Sequence, residues 1–217
     1  MEYQGNESIV LTNEEFLTLL AASGIEKWYG TDLEEEKKAL ESDKAYNRCL
    51  ASLYKKELID WKSEKAVISD DYKAIFTLLK DADMAVTADF AGREGFITTC
   101  YFGKDRVVNI EGRPSLTGEV EISISDKGEW VLDLMASSYL PESSIEADPD
   151  EIEDLSIAPN DYCCKFELVK LPSGELIESM IISDAGVYSI METSKGRENF
   201  SSDRMVEILK LWSGGNE

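Results

Sequence analysis

Apolar residues recur at helical spacing up to about residue 80 and at strand spacing through most of the remaining chain. Phe16, Leu19 and Leu20 fall on one helical face, and Gly24 is placed to end that helix. Thr12-Asn13-Glu14-Glu15 has the form of a capping box, in which the Thr12 hydroxyl accepts from the Glu15 amide while the Glu15 carboxylate reaches back. A second box, Thr31-Asp32-Leu33-Glu34, is expected to open the charged segment that follows. The next helix is expected from near Asp43, with Tyr46, Cys49, Leu50, Leu53, Tyr54 and Leu58 on its inner face. Ala66-Val67-Ile68-Ser69 reads as a short extended piece, after which Ser69-Asp70 is expected to cap a helix carrying Tyr72, Ile75, Phe76 and Leu79.

Beyond Asp83 the period changes. MAVTADF, FITTCYF and VVNIE are short β-rich runs separated by AGREG and GKDR, whose glycines and charges suit turns. Leu116, Gly118, Val120, Ile122 and Ile124 alternate with polar residues as one half-buried strand. Four strands on short connections form an antiparallel meander. Ser125-Asp126 is expected to cap a helix with Trp130, Val131, Leu134 and Met135 inward, ended by Pro141. Residues 142–161 break the pattern with eight acids, no base and two prolines, and read as an exposed connector with one helical turn near Glu151–Leu155. The β pattern then returns in YCCKFELVK, ELIESMIIS and VYSIMET, divided by LPSG and DAG. A last helix carries Met205, Ile208, Leu209 and Trp212 behind a Ser201 or Ser202 cap. The chain is therefore expected to be α+β, with antiparallel meanders, flanking helices and a pseudo-two-fold repeat of a meander-plus-helix unit. It reads as one domain of two halves, 1–141 and 162–217, joined by the connector 142–161.

Charge and composition narrow the functions. The chain has 44 Asp and Glu against 22 Lys and Arg, a net charge of −22, and no histidine. Histidine relays, histidine-ligated metals and imidazole switches are thereby excluded. A chain this acidic is repelled by phosphate backbones and anionic membranes, so neither nucleic acid nor membrane is an expected partner. Cys49, Cys100, Cys163 and Cys164 show no CxxC spacing and read as reduced thiols, with Cys163 and Cys164 on opposite faces of a strand. The first thirty residues lack the basic start and unbroken apolar core of a secretion signal, and the expected location is cytoplasmic.

No constellation carries catalysis, a cofactor or a metal. Phosphate-binding glycine loops and the GxSxG elbow are absent. The run 148–154 is acid-rich, but Pro149 occupies the turn, Ile152 the middle, and the glycine of a calcium loop is missing. Arg93 and Arg113, near strand turns, suit either a grip on a partner's carboxylate or a plain turn flank. Trp28 and Tyr29 suit a lid over the core or an exposed contact.

Several pieces, in order, resemble the EspG proteins associated with ESX (type VII) secretion. LTNEEFLTLLAASG is similar to the family's opening strand and its leucine–x–x–x–E–F–x–x–L helix. The stretch 46–90 resembles its middle segment through Ser52, Leu53, Glu57, Leu58, Ile59, Val67, Leu78, Leu79, Ala82 and Val86. The strand–helix–LP element ending at Leu140-Pro141 resembles the close of the family's first half. The likeness covers residues 8–141 by motif and the rest by architecture only. The chain is shorter than the mycobacterial members, and Glu57 stands where a glycine is usual. The resemblance implies a cytosolic, non-catalytic chaperone with quasi-two-fold α/β architecture, no cofactor, and a small helical secreted protein as partner. It points to Tyr101, Phe102, Gly103, Lys104, Asp105 and Arg106 as the client surface, although Phe102 also reads as ordinary core. The alternatives are an acidic immunity or inhibitor protein that engages a basic toxin through the connector, and an enzyme of unrecognised type.

Overall fold

The computed structural model describes residues 8–25, 28–30, 33–91, 96–112, 114–137, 140–141, 146–148, 152, 162–185 and 188–214. The first part of the chain forms β1 (Ile9–Thr12), α1 (Asn13–Ala22), α2 (Glu34–Ala39), α3 (Asp43–Lys55), β2 (Ile59–Lys62), β3 (Lys65–Ile68) and α4 (Lys73–Asp81). The first meander is β4 (Met84–Phe90), β5 (Ile97–Phe102), β6 (Arg106–Gly112) and β7 (Glu119–Asp126), with the short α5 (Pro114–Thr117) inserted and α6 (Trp130–Ser137) following. The second is β8 (Tyr162–Lys170), β9 (Glu175–Ala185), β10 (Tyr188–Thr193) and β11 (Gly196–Asn199), followed by α7 (Ser202–Trp212).

Nine strands make one antiparallel sheet in the order β1-β7-β6-β5-β4-β8-β9-β10-β11, and β2 pairs with β3 as a separate hairpin. The first strands of the two meanders, β4 and β8, meet at the middle with Thr87 opposite Glu167. Outward from that pair, β5-β6-β7 on one side corresponds to β9-β10-β11 on the other, and β1 extends the first side. Because the central pair is antiparallel, the helix ending each meander returns to the same face. Trp130 of α6 and Trp212 of α7 accordingly share one core.

Strand alternation sorts the side chains between two cores. On β4, Ala85 enters one, while Val86, Ala88 and Phe90 enter the other. The first core lies under α1, α3, α4 and the hairpin, and includes Leu11, Phe16, Leu19, Leu53, Ile75, Ile110 and Ile122. The second lies under α6 and α7, and includes Phe166, Met180, Ile182, Met205 and Leu209. Among the described residues no helix is long and apolar enough to cross a membrane.

Several local expectations need correction. The first capping box forms as expected, but α2 begins at Glu34 with Leu33 in the cap position and no side-chain cap; Thr31 and Asp32 lie outside the described residues. Tyr54 is half exposed and not on the inner face of α3. The helix α4 starts behind Tyr72 without a side-chain cap, because Asp70 is turned to Lys73 and Lys62. Leu116 is exposed on α5, so β7 starts only at Glu119, after Gly118 (φ 69°) has redirected the chain. Ser125 and Asp126 end β7 and do not cap α6, which begins at Trp130 after a turn. The connector is not wholly exposed: Ala147 and Ile152 are buried against Ile190 of β10, and Asn199 bonds both backbone groups of Ala147. The rest of its suggested helical turn lies outside the described residues. Two strands, β2 and β11, have no counterpart in the sequence reading.

Candidate functional site

Tyr101 and Phe102 are consecutive on β5, so alternation sends them to opposite faces. Tyr101 is 2% exposed. Its hydroxyl donates to the Tyr29 carbonyl at 2.6 Å and accepts from the Tyr29 amide at 3.0 Å. Burial pushes that phenol well above its ordinary pKa. Phe102 is buried against Trp130, ring centroids 5.0 Å apart. The six residues named from the sequence therefore do not form one surface, and only Gly103–Arg106 remain accessible.

That turn closes with the Gly103 amide donating to the Arg106 carbonyl at 2.9 Å, while Lys127 donates to the Gly103 carbonyl at 3.2 Å. A Cβ at Gly103 would lie 2.8 Å from the Leu78 side chain, so a larger residue there would make that side chain shift. Beside it lies a groove of about 900 Å³ whose walls include Leu78, Ala82, Met84 and Phe102. Its rim mixes Lys73, Lys104, Arg106 and Lys127 with Asp81, Asp83 and Asp105. Such a rim suits polar contacts better than a purely apolar ligand.

A larger concavity is walled by α1, α2, α3 and the β8–β9 turn. Trp28 packs edge-on against Phe16 at 5.0 Å, and Tyr29 is held by Tyr101, so these two residues form a strap between α1 and the β8–β9 turn. Glycines admit the strap. A Cβ at Gly174 would lie 3.1 Å from the Tyr29 ring, and one at Gly30 would lie 3.1 Å from both Thr99 Oγ1 and Trp28. On one side of the strap a groove of about 1200 Å³ is lined by Leu17, Leu20, Ala21, Leu33, Leu40 and Tyr46, with Glu34, Lys37 and Glu41 at its α2 side. On the other side a groove of about 600 Å³ runs past Leu79, Ala82 and Leu171. Both are bounded by Gly24, Ile25, Trp28, Tyr29 and Pro172. Trp28 and Tyr29 thus pack over the core, the first of the two roles left open by the sequence, and also wall a groove. The groove itself was not legible, because its walls come from α1, α2, α3 and the β8–β9 turn, which have no common sequence motif.

The titratable groups are arranged for structure. Glu15 is 4% exposed and accepts from Ser52 Oγ at 2.6 Å, Lys56 Nζ at 2.6 Å and the Thr12 amide at 3.0 Å. Burial alone would raise its pKa, but those donors outweigh burial and hold it below the ordinary value. Burial pushes the Cys163 thiol up to about 11 and Cys164 up to about 12, and raises Cys100 further, so all three are protonated and poorly nucleophilic at neutral pH. The hydrogen bond from Tyr162 to Asp89, at 2.6 Å, together with burial pushes that phenol up to about 12. Among the described residues no three Cys, Asp or Glu side chains come together to hold a metal ion. In the run 148–154 only Asp148 and Ile152 are described, with the Ile152 amide donating to the Asp148 carbonyl at 3.0 Å. Arg93 and Arg113 lie outside the described residues. No family model matches the chain, and no curated protein matches it.

Proposed function

We propose that this chain is a cytoplasmic, non-catalytic binding protein akin to type VII secretion-associated chaperones, and that it holds the apolar tip of a small helical secreted protein. The observation that carries the reading is the pair of meander-plus-helix units meeting at β4 and β8, the architecture that the EspG resemblance implies. One residue adds support. Glu57 has φ 60°, a left-handed conformation natural to the glycine usual there in the family.

The client tip belongs in the groove beside Trp28 and Tyr29, where apolar walls reward burial of apolar side chains at roughly 25 cal/mol per Å². The accessible turn Gly103–Arg106 contributes polar contacts on the side of α4 that carries Leu78. The test is a pull-down from the native cytosol with the tagged full chain and with two variants, Leu40→Glu in the groove and Lys104→Glu/Arg106→Glu at the turn. A small helical secreted protein should be recovered, should survive moderate salt, and should be lost with Leu40→Glu. Recovery of a basic toxin domain that dissociates as salt rises would overturn this reading in favour of an inhibitor.

A further inference from the structure

We propose that the Glu15–Lys56 ion pair guards the free edge of the nine-stranded sheet, and that without it β1 pairs antiparallel with β1 of a second copy of the chain. The inference does not depend on the client groove. Among the described residues, β1 and β11 end the sheet. A terminal strand has a row of unpaired N–H and C=O groups, a template for a further strand. The register identifies those groups. The Asn13 amide donates to the Gly118 carbonyl at 2.9 Å, continuing the series that pairs Ile9 with Ile122 and Leu11 with Val120. Bonded positions of an antiparallel pair alternate with positions whose N–H and C=O point away. Val10 therefore turns both groups outward, and Thr12 turns its N–H outward.

Side chains occupy that edge. Lys56 Nζ donates to the Val10 carbonyl at 3.2 Å, and the Thr12 amide donates to Glu15 Oε2 at 3.0 Å. The two side chains meet at 2.6 Å. One ammonium and one carboxylate thus stand where a neighbouring strand would bring an amide and a carbonyl. The pair is anchored from behind, since Lys56 is the C-cap of α3 and Ser52 Oγ donates to Glu15 Oε1 at 2.6 Å. A strand approaching β1 must displace Lys56 and leave the buried Glu15 carboxylate without its cation, which is costly.

The other end of the sheet is protected differently. β11 spans only Gly196–Asn199, and its Arg197 and Glu198 are exposed and paired with Glu192 and Arg204. Short, charged edges resist strand addition by themselves. β1 is instead the run Ile-Val-Leu-Thr, with Val10 50% exposed, and it needs a blocking contact. The same geometry selects the occupant. A two-fold axis at Val10 lets two copies exchange both backbone bonds of that residue, each N–H donating to the other carbonyl. Such an isologous contact closes on itself as a dimer.

The experiment is sedimentation equilibrium of the full chain and its variants at about 150 mM NaCl, where screening weakens the repulsion between two acidic copies. The parent should be monomeric. Lys56→Met keeps the aliphatic stem and removes the donor, and its apparent mass should rise toward double as protein concentration increases. Lys56→Arg keeps a donor and should stay monomeric. Adding Val10→Pro to Lys56→Met removes the outward N–H without touching the β1–β7 ladder, and should restore the monomer. A monomeric Lys56→Met overturns the proposal. Dimerisation that persists with Val10→Pro places the contact elsewhere and overturns it too. A parent dimer that Val10→Pro abolishes overturns it because the edge is then open despite the ion pair. Loss of the native circular dichroism in Lys56→Met overturns it in favour of a purely structural tie.

Discussion

Glu15 shows how one residue acquires two roles. From sequence it is the fourth position of a capping box, and the structure confirms that reciprocal pair with Thr12. Only in the folded chain do Ser52 on α3 and Lys56 at its C-cap reach the same carboxylate, tying α1 to α3 through a buried charge. Because its folded-state pKa lies below the unfolded value, ionised Glu15 contributes stability at pH above that unfolded value. The contribution is lost as pH falls through the lower folded value. Glu15→Gln should therefore cost about 1–3 kcal/mol near neutral pH, where it leaves Lys56 and Ser52 facing a weaker acceptor. The gap between parent and variant should shrink as the pH is lowered below about 4.5, the ordinary value. Parallel denaturant titrations at several pH values measure that gap, and a gap independent of pH would refute the assignment.

At the scale of elements, the long amphipathic patterns and the caps at Thr12 and Ser201 were read correctly, while two other caps and the strand β2 were not. The helices α1, α3, α4 and α7 carry several apolar side chains on one face, and tertiary packing rewards that pattern directly. The hairpin was missed because its turn residues, Ser63 and Glu64, both adopt positive φ (51° and 63°) without the Asn-Gly or Asp-Gly that usually signals such a turn. Glu57, just beyond the end of α3 and before β2, is the third non-glycine residue with positive φ in that region. Its strain should be removable. Glu57→Gly is expected to raise stability by about 0.5–1 kcal/mol, while Glu57→Ala gives no such gain, because alanine keeps the Cβ that disfavours φ 60°. Urea unfolding midpoints distinguish the two outcomes. The misplaced caps, Ser69-Asp70 and Ser125-Asp126, share one cause. Asp70 found lysine partners and Ser125 found Asn109 across the sheet, so neither residue was left to serve a helix end.

At the scale of the whole molecule, net charge and architecture act together. A charge of −22 on one chain makes the compact state self-repelling, and counter-ions relieve that repulsion. Raising NaCl from about 10 mM to about 150 mM should increase the thermal midpoint by a few degrees, and a fall would mean that attractive pairs outweigh the net charge. Hydrophobic periodicity alone determined the α+β class, the two meanders and the helix closing each, since a buried face imposes its period on local sequence. Composition along the chain also marked residues 142–161 as its most acidic stretch. The tertiary structure alone decided that β4 and β8 join the halves, that Tyr101 and Phe16 hold the strap through Tyr29 and Trp28, and that four distant stretches wall one groove. The physical reason is range. Local sequence encodes the period of an element and the face it buries, whereas partnership between elements depends on which buried faces fill a common volume, and no local pattern records that choice.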